Sequence, residues 1–312
     1  MSFRSVKDTV APSLHQVGRV IAGWPEGAGR AALWPIEAAG KASYFFPASY
    51  VRRTVGNFCR TTGRSDPWPI YSRMMENVRH AALHFARLHR HGRAQLLEET
   101  KIDPSWAREY ERFGRGKQGI MILVPHCAGA VLSSGKLNHF SPATLLVREP
   151  KSPARCALML EYIEKIGPKF ILSRNTPPAT VMRNIARALK NGQVVVGTTD
   201  LIGREGADTI ETTIFGQRVY SPAWPARIAS RFDIPIVPGF IRMEGKQITL
   251  QTDEGYLETD ARKSTQRWVS SFEKFFRQYP SDWLFMLDKR WSRVLGAAAA
   301  TNRQPTPARA EG

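Results

Sequence analysis

Short apolar runs alternate with longer stretches of helical periodicity between residues 119 and 278. The runs are continuous in Val, Ile and Leu, which is typical of strands buried on both faces of a parallel sheet. Parallel neighbours need crossover connections, and helices are the usual ones. The pattern therefore predicts an α/β fold with a mainly parallel central sheet flanked by helices. The predicted strands occupy residues 119–125, 143–148, 169–173, 193–199, 234–242 and 247–252.

A long helix is predicted over residues 67–100, because apolar side chains recur there near helical spacing. Pro67 and Pro69 mark its start, and Gly92 marks its expected end. Further helices with one apolar face are predicted at residues 153–166, 179–190 and 260–278. These helices would form the outer layers that a buried sheet requires.

The two ends of the chain differ in composition from this middle region. Residues 1–53 mix Gly, Ala and Pro with aromatic and basic residues, which predicts a helical extension lying on a membrane surface. An arm packed on the main domain is the alternative. No signal peptide is predicted, nor the ~20 consecutive apolar residues of a spanning helix. The main domain is expected at 54–294, and the small, polar residues 295–312 are expected to be a disordered tail.

The chain carries a formal net charge of +18 and has a pI of about 10.3. Such a charge does not select a fold, but it favours polyanionic partners: an anionic membrane surface, an acidic protein or nucleic acid. Nucleic acid is the weakest of these, because the basic residues are spread along the chain and no zinc-finger or ribonucleoprotein motif occurs. Three cysteines without metal-binding spacing indicate a reducing compartment.

Histidines recur on the first predicted helix at His80, His84 and His91. Histidines four residues apart share a helix face and can ligate zinc. No Glu or Cys of the helix completes such a site, so a solvated basic face is the better interpretation and no metal is expected.

His126 follows the apolar strand 119–125 and enters a Gly/Ala-rich turn. Ligands of open α/β sheets bind outside the carboxyl ends of the strands, and a neutral imidazole there can take a proton from a hydroxyl. A buried histidine bonded to the backbone is the alternative. His126 is thus the leading candidate for a general base.

Several segments, in order, resemble the lipid A biosynthesis lauroyl/myristoyl acyltransferases of the lysophospholipid acyltransferase superfamily. The resemblance covers residues 52–290 and includes RRTVGNFCRTTG, GIMILVPH with its histidine, LLVREP, and the block ALKNGQVVVGTTDLIGREGADTIETTIFGQ. The segments SPAWPARIASRFDIPIVPGFIR and YPSDWLFMLDKRW complete it. No single motif is decisive, but their order and spacing are moderately specific.

The resemblance implies that a fatty acyl group moves from an acyl thioester, carried by acyl carrier protein or coenzyme A, to a hydroxyl of a phosphorylated glycolipid or lysolipid. It also implies a peripheral location on the cytoplasmic face of a bacterial inner membrane, and no cofactor. His126 would be the base. Arg148 matches the family's phosphate-binding arginine, with Arg174 and Arg204 as further candidates.

The chain departs from the family at position 131, five residues after the histidine, where an acid is expected and Val131 stands. Valine cannot orient an imidazole or stabilise an imidazolium. Glu149, Asp200 and Glu205 are the candidates to replace the acid, since all three follow predicted strands. Otherwise the histidine acts unassisted and slowly, or the chain is an inactive relative that binds lipid or carrier protein.

Overall fold

The computed structural model describes residues 20–21, 23–114 and 119–301. Its strands are β1 (Thr100–Ile102), β2 (Ile120–Val124), β3 (Ala143–Val147), β4 (Lys169–Leu172), β5 (Val194–Thr198), β6 (Thr209–Ile214), β7 (Gln217–Pro222), β8 (Ile236–Glu244) and β9 (Gln247–Thr252). Seven form one sheet in the order β1-β9-β8-β2-β5-β3-β4. All neighbours are parallel except β8 and β9. The predicted α/β fold and all the predicted strands are confirmed.

Helices flank this sheet and form an N-terminal helical region, as predicted. They are α1 (Glu26–Ala42), α2 (Tyr50–Thr62), α3 (Pro67–Glu99), α4 (Pro104–Phe113), α5 (Ala130–Phe140), α6 (Pro153–Ile166), α7 (Pro178–Lys190), α8 (Trp224–Phe232), α9 (Ala261–Gln278) and α10 (Lys289–Thr301). In the described ranges, none of them is both long and apolar enough to cross a membrane.

The predicted range of the long helix, 67–100, is confirmed by helix Pro67–Glu99, but the prediction that it ends at Gly92 was wrong. Gly92 has φ 61° and ψ −160°, which is not helical, yet the chain resumes helix and continues to Glu99. Glycine has no Cβ, so it adopts this conformation without steric cost. The glycine therefore kinks α3 instead of ending it.

A β-hairpin was missed. Among the described residues, strands β6 and β7 pair only with each other. They are joined by Phe215 and Gly216, which have φ values of 53° and 71°. Positive φ at both positions is the requirement of a tight two-residue hairpin turn. Phenylalanine is an unusual residue there, and both strands are rich in polar residues, so the local sequence gave little indication of the turn.

The predicted boundary of the disordered tail, residue 295, lies too early in the sequence. Helix α10 continues through residues 295–301, and Leu295, Ala298 and Ala299 are buried. The small side chains let the helix pack closely on α2. Alanine also gives up no side-chain entropy on burial. Residues 302–312 of the predicted tail, like residues 1–19 of the predicted extension, lie outside the described residues.

The core is centred on β2, whose five residues are all buried between β8 and β5. Beside it, Trp283 is fully buried and stacks on Phe276 of α9, with ring centroids 3.7 Å apart and planes 9° apart. Burying one large apolar side chain stabilises the fold by about 1.5–3 kcal/mol. The middle strand and the stacked rings thus give the carboxyl end of β2 a rigid support.

Candidate active site

His126 lies just beyond the carboxyl end of β2, the middle strand of the sheet. Its side chain is 29% exposed, so it is neither part of the core nor fully solvated. The turn that follows it leads into α5 at Ala130. This is the edge at which open α/β sheets bind their ligands.

Asp200 stands next to His126 because β5 pairs with β2 in parallel. The register aligns Val124 with Thr198, and each strand continues for two more residues to the histidine or the aspartate. Oδ1 of Asp200 contacts the Nδ1 atom of His126, and Oδ2 accepts a hydrogen bond of 3.1 Å from the backbone N–H of His126. Two residues 74 positions apart in the chain thereby form one unit.

Two indole groups hold Asp200 from the core side. The Nε1 atom of Trp283 donates a 3.0 Å hydrogen bond to Oδ2 of Asp200, and that of Trp291 donates a 2.6 Å bond to its backbone oxygen. The Asp200 side chain is fully buried. A buried carboxylate is costly unless N–H groups compensate its charge. The Trp283 indole, the backbone N–H of His126 and the ring of His126 at Nδ1 all contact this carboxylate.

The histidine ring is held on its face as well as at Nδ1. It stacks on Phe285 with centroids 3.7 Å apart and planes 13° apart, and the N–H of Leu284 donates a 2.9 Å bond to the backbone oxygen of His126. Within the described part of the chain, Nε2 makes no hydrogen bond. The geometry therefore leaves Nε2 as the nitrogen that can exchange a proton with a ligand.

The other acids considered as partners of His126 are engaged elsewhere. Glu149 is buried, and its carboxylate accepts hydrogen bonds from three consecutive backbone N–H groups, those of residues 173–175. Burial works to raise the pKa of Glu149, but the backbone donors outweigh it and hold this pKa below its usual value. Glu205 is exposed and bonded to the hydroxyl of Tyr220. The structure thus brings only Asp200 to the histidine.

Val131 and Cys127, which follow His126 in the chain, do not take part in its contact with Asp200. Val131 lies on α5 and is 38% exposed. Burial raises the pKa of the Cys127 thiol well above its usual value, which keeps it protonated.

His84 of α3 is buried, whereas a solvated face was expected: its ring contacts the Glu99 carboxylate and the backbone oxygen of Lys246. No cluster suited to a metal occurs among the described residues.

With this geometry in hand, comparison with known proteins identifies the family. Residues 65–293 match the model of the bacterial lipid A biosynthesis acyltransferases. The chain belongs to this family. A search of curated proteins finds no match to it.

The three arginines expected in this acyltransferase to bind substrate all follow strand ends, but their surroundings differ. Arg148 comes directly after β3 and is exposed. Arg174, after β4, is half-buried, and its Nε atom donates to the backbone oxygen of Glu149. Arg204 is exposed in the loop after Asp200. Where the structure describes the chain, none of them forms a hydrogen bond or ion pair with His126.

Sequence reasoning missed the aromatic residues of the site. Trp283, Phe285 and Trp291 lie in the segment YPSDWLFMLDKRW, which the family resemblance included without giving its rings a role. An available signal was the density of aromatic residues near the end of the domain. Tryptophan N–H groups usually find an acceptor when buried, so a buried acid was a reasonable partner to look for.

Proposed function

We propose that this family member transfers a fatty acyl group from an acyl thioester to a hydroxyl group of a phosphorylated glycolipid or lysolipid. His126 is the general base, and Asp200 takes the role of the acid that Val131 cannot fill. The observation that carries the proposal is the contact of Oδ1 of Asp200 with Nδ1 of His126, which leaves Nε2 free.

The chemistry follows from that arrangement. Nε2 of His126 takes the proton of the acceptor hydroxyl while the oxygen attacks the thioester carbonyl carbon. The tetrahedral intermediate collapses with cleavage of the C–S bond, and the leaving thiolate takes the proton from the imidazolium. The products are an acyl ester and a free thiol. Asp200 keeps the proton of the neutral ring on Nδ1 and stabilises the imidazolium while it exists.

The exposed arginines supply the proposed binding groups for phosphate. Arg148 leaves the carboxyl end of β3, two strands from β2 on the side of β5, and Arg204 follows Asp200 by four residues. A guanidinium binds two phosphate oxygens at once in a planar fork. Arg174 is already bonded through Nε, which orients its remaining N–H groups for the same task. The charge of +18 also suits the acidic surface of acyl carrier protein as donor, with acyl coenzyme A as the alternative.

The N-terminal helices supply the proposed membrane contact. Large apolar side chains that are exposed in this structure concentrate there: Val20, Trp24, Trp34, Ile36, Phe45 and Phe46. Aromatic residues partition to the interfacial layer of a bilayer, and each basic residue near an anionic surface adds about 1 kcal/mol. We therefore place the protein peripherally on the cytoplasmic face of a bacterial inner membrane.

Incubation of the purified protein with acyl carrier protein bearing a radiolabelled acyl chain, and with a panel of phosphorylated membrane lipids, tests the function. Transfer of label to one lipid, lost in His126→Ala and Asp200→Asn, is the expected result. If wild-type protein transfers nothing yet retains lipid or carrier binding, the chain is instead an inactive relative.

A further inference from the structure

We infer that the buried pair of Asn77 and Asp282 is a positioning device: it anchors the closing segment, residues 280–291, so that Trp283 holds Asp200 against His126. The inference rests on the proposed function of that dyad. Neither Asn77 nor Asp282 touches the reacting atoms, and each acts through the segment it fixes.

The closing segment makes most of the contacts that arrange the dyad. Trp283 donates to the carboxylate of Asp200, Leu284 donates to the backbone of His126, and Phe285 lies flat against the ring. An isolated bridge also pairs Trp283 with the residue after His126. A shift of this segment would therefore move the aspartate and the histidine together.

Asn77 joins the segment to helix α3. Its Nδ2 atom donates a 2.8 Å bond to Oδ1 of Asp282 and a 3.4 Å bond to the backbone oxygen of Ser281. The same Oδ1 atom accepts a 3.1 Å bond from the N–H of Met243 in β8. Asn77 is fully buried and Asp282 nearly so. One carboxylate thus ties a helix, a strand and the closing segment together, one residue before Trp283.

A neutral carboxylic acid completes this anchor. Oδ1 of Asn77 is buried, and among the described residues it has no hydrogen-bond partner. A protonated Asp282 has an O–H group to donate, and an acid and an amide can then exchange two hydrogen bonds. A buried amide oxygen left without a donor destabilises the fold, so the site favours the neutral acid.

The surroundings of Asp282 act in the same direction. Burial, the largest effect, raises the pKa of Asp282 to about 7, against the Met243 N–H and the positive charges of Arg242 and Arg73. The negative charge of Glu244 adds to the rise, and the buried Cys127 thiol is a further neighbour. At neutral pH and below, a substantial part of the protein therefore holds Asp282 as the acid.

Four variants test the inference by activity: Asn77→Ala, Asp282→Ala, Asp282→Asn and the control Asn138→Ala. An asparagine at 282 has the shape of the neutral acid and can make both amide bonds. Asn138 also makes two hydrogen bonds through its amide, but at the far end of α5 from His126. Small displacements of catalytic groups cost about 100-fold in rate. Both anchor alanine variants should therefore lose roughly 10- to 100-fold in kcat with an acceptor KM within about twofold.

Asp282→Asn separates positioning from simple stability. At pH 6 its kcat should be within about threefold of the wild-type value. By pH 9, wild-type Asp282 is ionised and wild-type kcat should fall, so the ratio of variant to wild-type kcat should rise about three- to tenfold. The inference is overturned if Asn77→Ala and Asp282→Ala turn over like Asn138→Ala, or if Asp282→Asn is as impaired as Asp282→Ala at pH 6.

A spectroscopic measurement keeps the inference separate from the proposed function. The indole N–H resonance of Trp283, assigned through Trp283→Phe, reports its bond to Asp200 whether or not acyl transfer is found. It should move upfield in Asp282→Ala and stay within the wild-type range in Asp282→Asn. If the Trp283 resonance does not move in a folded Asp282→Ala variant, the anchoring role is overturned. If wild-type protein shows no acyl transfer but the resonance moves as expected, only the acyltransferase mechanism is overturned.

Discussion

Asp200 contacts the ring of His126 from the end of the neighbouring strand, and it is the fully buried member of the pair. The parallel register of β2 and β5 fixes this relationship, because both residues follow paired strand positions at the same offset. The acid therefore comes from a neighbouring strand, whereas the family pattern places it one helical turn after the histidine. The consequence is that the missing acid at position 131 does not leave the histidine without a carboxylate.

The first prediction concerns Asp200→Asn. The amide should reduce kcat by about four orders of magnitude, as loss of the orienting acid does in a serine–histidine–aspartate triad, because it favours the wrong ring tautomer. Turnover of labelled thioester in single-turnover assays would measure this. Glu205→Gln is the matched control, since Glu205 is exposed and bonded to the hydroxyl of Tyr220. A loss in Asp200→Asn no greater than that in the control would refute the assignment.

The second prediction concerns Val131→Glu. Because Nδ1 of His126 already has a carboxylate, a second acid should change kcat by less than about threefold, which is about 0.7 kcal/mol of activation free energy. Val131 is 38% exposed, so the charge can remain solvated and the fold should be kept. The same substitution placed in Asp200→Asn should recover part of the lost rate. Strong activation of the single variant would show instead that Asp200 does not serve the histidine.

The strands around the site could be predicted, because a continuous run of Val, Ile and Leu is a local property of the chain. The partner of His126 could not be singled out. Glu149, Asp200 and Glu205 all follow predicted strands, and choosing among them requires the strand order, which places β5 beside β2. Glu149 follows β3, one strand further away, and its carboxylate caps backbone N–H groups instead.

The support of the site was less predictable still. Trp283 reaches Asp200 across 83 positions, and Asn77 reaches Asp282 across 205. Such contacts depend on how helices and loops pack after the sheet has formed, which no local pattern encodes. The kink at Gly92 shows the same limit, since tertiary packing continued a helix through a residue that normally ends one.

The third prediction concerns Arg148→Lys. Lysine keeps the positive charge but loses the planar fork, so the acceptor KM should rise about tenfold while kcat changes little. Steady-state kinetics with varied acceptor at saturating donor would measure it. Arg183→Lys on α7 is the control, because within the described part of the chain its guanidinium bonds only to Thr180 of the same helix. Equal acceptor KM values for the two variants would remove Arg148 from the binding site.

The fourth prediction concerns the membrane surface. Replacing both Trp34 and Phe46 with serine should weaken binding to vesicles of anionic lipid by at least about tenfold, because each ring contributes apolar burial. Phe140→Ser is the control: it is equally exposed, but lies outside the N-terminal helices. Sedimentation at low and high salt would also separate the electrostatic part. Similar losses in both proteins would mean that this surface does not contact lipid.

The last prediction concerns stability as a function of pH. The pKa of Asp282 is about 7 in the folded protein and about 3.8 in a free side chain, mainly because of burial. The folded state therefore binds more protons than the unfolded state between these values, so the free energy of unfolding should fall as pH rises through this window. The shift corresponds to a loss on the order of 4 kcal/mol, fully developed above pH 7.

Asp282→Asn should remove this dependence, since asparagine does not titrate. Urea unfolding at pH 5 and pH 8 measures it: the difference in unfolding free energy between the two pH values should be about 2–3 kcal/mol smaller in the variant than in wild type, since part of the window lies below pH 5. At pH 8 the variant should be the more stable protein, although it has lost a carboxyl group. Identical pH dependence in the two proteins would mean that Asp282 is ionised in the fold, and the acid–amide pair with Asn77 would then be wrong.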